Sequence, residues 1–91
     1  MPSTIARRFV VRGRVQGVGF RYRCVRAATT AGVTGWVRNR TDGSVEAHVE
    51  GSPDAVEQVL TWARTGPEHA RVDSVEVGEV APAGHRDFTV R

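Results

Sequence analysis

Between Gly13 and Arg21 the chain reads GRVQGVGFR, and no other stretch narrows the possible folds as far. An apolar run ends there, three glycines fall within seven residues, and helical spacing begins at Phe20. Gly13, Gly17 and Gly19 let the backbone turn tightly and leave its amides uncovered, so successive N–H groups can converge on one anion. A helix starting near Phe20 adds the positive end of its dipole. Arg21 adds a guanidinium fork that matches phosphate oxygens. Glycine spacing alone fits a plain strand-to-helix turn equally well, so the rest of the chain has to decide.

Upstream, Arg7–Arg12 (RRFVVR) is rich in β-branched and aromatic residues, which predicts a strand inside a sheet. From Phe20 to Ala31 the spacing predicts a helix with Phe20, Cys24, Ala27 and Ala31 on one stripe, ended by Gly32. Cys24 lies on that stripe and reads as a buried, inert thiol rather than a nucleophile. Val33–Asn39 and Ser44–Glu50 read as two strands joined by a turn carrying Asp42-Gly43. In the second, Val45, Ala47 and Val49 alternate with Ser44, Glu46, His48 and Glu50, which predicts one wet face with His48 solvated on it. Ser52-Pro53-Asp54 has the chemistry of a helix start, and Val56, Val59, Leu60 and Ala63 form its apolar face, with Trp62 at the shoulder and Gly66-Pro67 at the end. Val72–Val80 reads as a strand, Pro82–His85 as a loop and Phe88–Val90 as a short last strand. This order is the α+β, ferredoxin-like split βαβ sandwich (βαββαβ): a mostly antiparallel sheet with two helices on one face.

Ninety-one residues suffice for a single domain, 1–91, with a small core, and a hydrophobic content of 40% places the chain among globular rather than disordered sequences. No apolar run reaches the length of a membrane span, and MPSTIARRFVV has no small-residue cleavage site after an apolar core. The expectation is a soluble, cytoplasmic protein without membrane contact, a monomer by default. Cys24 is the only cysteine, which excludes an internal disulfide and any multi-cysteine metal site and agrees with a reducing compartment. Charge is unevenly spread. Residues 1–43 hold nine arginines against Asp42 alone, a net +8, whereas residues 44–91 hold four against nine acids, a net −5. The first half therefore attracts anions, although all thirteen basic residues are arginine, a bias that base composition of the genome also produces.

Two familiar phosphate loops do not match. A P-loop needs lysine then serine or threonine after its second glycine, and here Val18 and Gly19 follow Gly17; the dinucleotide fingerprint needs a different glycine spacing. An RNA-recognition module shares the order of elements, but RRFVVR and SVEAHVE offer only Phe9 for base stacking, and Glu46 and Glu50 would repel a phosphate backbone. No nucleic-acid partner is therefore expected. A regulatory domain that keeps the anion pocket without hydrolysis is a further possibility.

GRVQGVGFR taken together with GWVRNRTDGSVEAHVEG at residues 35–51, and with the Phe88-Thr89-Val90-Arg91 ending, closely resembles the signature stretches of the acylphosphatases. Members are small cytosolic enzymes of the split βαβ fold that hydrolyse the mixed anhydride of a carboxylate and phosphate. Related domains also begin larger carbamoyl-transfer maturation proteins; with no cysteine-rich zinc segment in the sequence and no continuation expected after Arg91, a stand-alone enzyme is the expectation. The resemblance implies that Arg21 binds phosphate and Asn39 orients water. It further implies that Gly13, Arg14, Val15, Gln16, Gly17 and Val18 form the backbone cradle. Without it, Asn39 reads as a strand-end residue capping the hairpin. The chemistry agrees: an acyl phosphate has a good leaving group, so fixed donors and an in-line water suffice. The motifs hold no cluster of carboxylates or histidines for Mg²⁺ or Zn²⁺ and no nucleophile beside a base. No cofactor or metal is expected, and the implied partners are a small acyl phosphate and the inorganic phosphate released from it.

Overall fold

Five strands and two helices alternate in the expected order in the computed structural model, which describes residues 3–91. Met1 and Pro2, the first positions of the expected 1–91 domain, lie outside the described residues. The elements are β1 (Ile5–Arg14), α1 (Phe20–Ala31), β2 (Thr34–Asn39), β3 (Val45–Gly51), α2 (Pro53–Thr65), β4 (Arg71–Val80) and β5 (Phe88–Val90). The sheet runs β4-β1-β3-β2-β5, antiparallel except that β5 lies parallel to β2. RRFVVR is thus an inner strand, as its composition predicts. Among the described residues no helix is long and apolar enough to cross a membrane.

Both helices pack on one face through Phe9, Val11, Val37, Val45, Ala47 and Val49 of the sheet, Phe20, Cys24 and Ala28 of α1, and Val56, Val59, Leu60 and Ala63 of α2. Burial of each large aliphatic or aromatic side chain in this cluster contributes about 1.5–3 kcal/mol. The stripe on α1 departs from expectation by one position. Ala28 is fully buried, while Ala27 and Ala31 are at its edges, because the core-facing row follows the i, i+4 spacing from Phe20 through Cys24. α2 starts as expected: the Ser52 hydroxyl accepts from the Ala55 N–H at 3.2 Å, with Pro53 in the first turn.

The expectation of a wet outer face on β3 is wrong. Ser44, Glu46, His48 and Glu50 are all buried, His48 included. β3 is the central strand, and its polar side is closed from several directions. Arg8 of β1 and Arg38 of β2 both grip the Glu46 carboxylate, the latter at 2.6 Å. Trp36 stacks on His48 with centroids 6.2 Å apart. The segment 81–87 folds over the far end, where the Ala83 and Gly84 amides donate to Glu50 at 2.5 and 3.1 Å. Period-two alternation shows which side chains share a face; it does not say whether other parts of the chain return to cover that face.

Candidate active site

β1 reaches the glycine loop through a bulge. Its register with β4 shifts between Arg12 and Gly13, so that Gly13 faces Val72 and Asp73 is skipped. Gly13 has φ +132°, and a Cβ there would stand 2.1 Å from the Arg71 carbonyl oxygen. Close strand approach therefore demands this glycine. Gly17 and Gly19 are demanded for another reason: they have φ +75° and +78° with open space around them, a left-handed backbone that other residues enter at a cost.

The consequence is an uncovered set of donors. No hydrogen bond among the described residues uses the N–H groups of residues 16–19. α1 then begins at Phe20 with Gly19 as a cap that offers no side-chain acceptor, leaving first-turn amides without a partner. Gly17, Gly19 and the first-turn residues Phe20, Arg21 and Tyr22 border a cavity of about 480 Å³. Gly17, Gly19, Arg21 and Asn39 line its polar side, and Val15, Tyr22, Val25, Phe88 and Val90 its apolar side. Among the described residues Arg21 pairs with no carboxylate.

Asn39 ends β2 opposite Val45. Its Oδ1 is buried and has no hydrogen-bond partner, so it does not cap the hairpin. That turn is closed by other groups: the Arg40 N–H donates to the Ser44 carbonyl at 2.8 Å, and Asp42 Oδ1 accepts from the Ser44 amide at 3.0 Å and hydroxyl at 2.5 Å. The Ser44 hydroxyl and amide, followed by the Arg12 and Arg40 guanidinia, hold the Asp42 carboxyl down at about 2. An unpartnered buried carbonyl is costly, and the residue that carries it lines the cavity.

Of the residues expected to bind phosphate, Val15, Gly17 and Arg21 line the cavity, together with Asn39, which was expected to orient water. Gly13 and Arg14 belong to β1, with Arg14 exposed opposite Arg71. The Gln16 side chain turns to the hairpin and donates to the Arg40 and Ser44 carbonyls at 2.8 and 3.0 Å. It braces the loop against the strand end that carries Asn39, while its own N–H remains free. Val18 packs against the core. Sequence reasoning missed the apolar wall. Val25 lies one helical turn beyond Arg21, a spacing open to inspection, whereas Phe88 and Val90 arrive only through the parallel pairing of β5 with β2.

The acylphosphatase family model matches residues 7–90. An acylphosphatase of Nitrobacter winogradskyi is 57% identical over 77 residues, 85% of this chain and 78% of that one. An acylphosphatase of Azoarcus sp. is 51% identical over 94% of this chain and 89% of its own length. The crystal structure of acylphosphatase from Bacillus subtilis superposes with a TM-score of 0.93 at 36% identity, covering 96% of this chain and 98% of that one. Since the match runs through both signature stretches and the whole sheet, the chain belongs to the acylphosphatase family.

Proposed function

We propose that the protein hydrolyses small acyl phosphates to a carboxylate and inorganic phosphate by direct attack of an oriented water. One observation carries the mechanism: the buried Asn39 Oδ1 lacks a partner in the same cavity as Arg21 and the open loop. The free amides of residues 16–19 and the Arg21 guanidinium surround the phosphoryl oxygens, whose charge they match. Asn39 Oδ1 accepts a hydrogen bond from water and aims its oxygen at phosphorus, opposite the acyl oxygen. As the new P–O bond forms, the bond to the acyl oxygen breaks and its electron pair leaves with the carboxylate. Among the described residues no carboxylate or imidazole lines the cavity, so the proton of the attacking water passes to a phosphoryl oxygen of the substrate. The neutral amide suits this work because it orients water without repelling a dianion.

The same reading takes the chain as one catalytic unit, a cytoplasmic monomer with no nucleic-acid partner. It is supported by a core that closes within one chain, a free and buried thiol, and Phe9, the aromatic of β1, being buried beneath the helices rather than offered to bases.

Turnover of a simple acyl phosphate, measured beside phosphate binding, is the test. Arg21→Gln is expected to lower kcat/KM by at least ~10²–10³ and to weaken phosphate inhibition; Asn39→Ala is expected to lose a similar factor in kcat with phosphate binding kept. Tight phosphate binding by a wild-type protein that hydrolyses nothing would instead identify a binding domain. Equal turnover by the wild type and both variants would refute the assignment of roles.

A further inference from the structure

On the face of the sheet away from the cavity, β3 carries two buried glutamates in unlike company. Glu46, 3% exposed, is held by two guanidinia. Glu50, also 3% exposed, meets no arginine among the described residues; its oxygens accept from the Ala83 and Gly84 amides and lie 2.6 Å from His48 Nε2. Removing a carboxylate from water costs several kcal/mol, and at Glu50 two backbone amides and a histidine ring stand where Glu46 has two guanidinia. His85 folds back over this end of the sheet, its ring centroid 5.1 Å from that of His48. The ligand atoms of His48, Glu50 and His85 all lie within 4.8 Å of one another. Two imidazoles and a carboxylate form a donor set suited to a first-row divalent cation, Zn²⁺ foremost.

We propose that His48, Glu50 and His85 bind one Zn²⁺ on the outer face of the sheet, with water completing the coordination. Tetrahedral zinc with bonds near 2 Å separates its ligand atoms by roughly 3.3–3.4 Å. The His48–Glu50 contact therefore opens by under ~1 Å, and His85, on its loop, closes by no more than about 1.5 Å. The outer shell is in place: Trp36 lies 15° from parallel to the His48 ring, and the Ala83 and Gly84 amides fix the Glu50 carboxylate, as supporting groups do around zinc ligands. The ion supplies to Glu50 the positive charge that Arg8 and Arg38 supply to Glu46. His48 projects from the side of β3 opposite Ala47 and Val49, which belong to the core, so the ion does not touch a substrate in the cavity. Its effect is structural. It fastens segment 81–87, which runs directly into β5, and Phe88 and Val90 of β5 wall the cavity.

Untagged protein, stripped with a chelator, is titrated with Zn²⁺ alone by calorimetry and with Co²⁺ by absorption. The wild type is expected to take one equivalent, to show the visible bands of tetrahedral Co²⁺, and to melt at a higher temperature as free Zn²⁺ rises. His85→Ala, a loop substitution, and Glu50→Gln, a neutral isostere, are each expected to weaken binding at least ~10–100-fold, the loss typical of even an outer-shell group. His69→Ala is expected to bind as the wild type does, and metal-free His85→Ala to retain basal hydrolysis. Failure of the wild type to bind one equivalent, or equal affinity in His85→Ala and wild type, overturns the site.

Discussion

The two faces of this sheet are buried by opposite means. Beneath the helices, side chains without formal charge exclude water, and nothing offsets what that exclusion does to an ionisable group: burial alone pushes the Cys24 thiol up to about 12. On the outer face burial also disfavours the charged form of Glu46, yet the hydrogen bonds and charges of Arg38 and Arg8 outweigh it and hold the carboxyl below its usual range. Glu50 behaves likewise: the Ala83 amide, the His48 ring and the Gly84 amide together overcome the effect of burial. Low exposure therefore marks two different materials. One is cohesive because its atoms pack, the other because each charge has a partner. The cavity opens at the end of the apolar face and is lined there by Asn39, whose Oδ1 is the buried side-chain polar atom left without a partner among the described residues.

This contrast predicts the largest loss of stability on the apolar side. Phe9 is fully buried at the centre of the cluster, and Phe9→Ala is expected to cost about 3–5 kcal/mol. For a domain of this size that lowers Tm by well over 10 °C, or unfolds the protein at ambient temperature. Chemical denaturation reads it directly, and a cost below ~2 kcal/mol would mean that the helix face is not the principal source of stability.

Glu46→Ala comes next, at about 1–3 kcal/mol. It costs less than Phe9→Ala because the partners it strands are about half exposed, Arg8 at 45% and Arg38 at 50% of their side-chain surface, and regain water. The reverse cut sharpens the comparison. Arg8→Ala or Arg38→Ala alone leaves the other guanidinium on the carboxylate. Both together leave the buried carboxylate without a cation and are expected to cost more than the two single losses added. Additive values from a double-mutant cycle would show that Glu46 gains its compensation elsewhere.

How far these faces were legible in the sequence follows from the same division. Local chemistry announced α2, since Ser52-Pro53-Asp54 can cap a helix without help, and the Asp42-Gly43 turn, whose carboxylate bonds two residues ahead. Arg21 and the open glycine loop were legible because the donors are backbone groups released by Gly17 and Gly19. The role proposed for Asn39 rests on the family resemblance, because an asparagine at a strand end ordinarily serves the turn beside it. What stayed hidden depends on contacts between distant positions. The covered outer face requires Ala83, Gly84 and His85 to return to β3 more than thirty residues away. Gly13 belongs to a bulge against β4 rather than to the loop, a fact set by the Arg71 carbonyl and invisible in the spacing GRVQG.

The gentlest probe of the difference changes no residue. With its value moved from 9.0 to about 12 by burial, Cys24 carries at pH 8 about 10³-fold less thiolate folded than unfolded, and the thiolate is the species that reacts. Alkylation of the native protein at pH 8 is therefore expected to be about three orders of magnitude slower than in urea. The sign of the linked stability follows. Between pH 9 and about 12 the unfolded chain has released this proton and the native protein has kept it, so the native state binds more protons and its stability falls as pH rises through that window. A native alkylation rate within tenfold of the unfolded rate would show that water reaches Cys24 through openings in the helix layer. The apolar face would then be no drier than the charged one, and the distinction between them would rest on Glu46 and Glu50 alone.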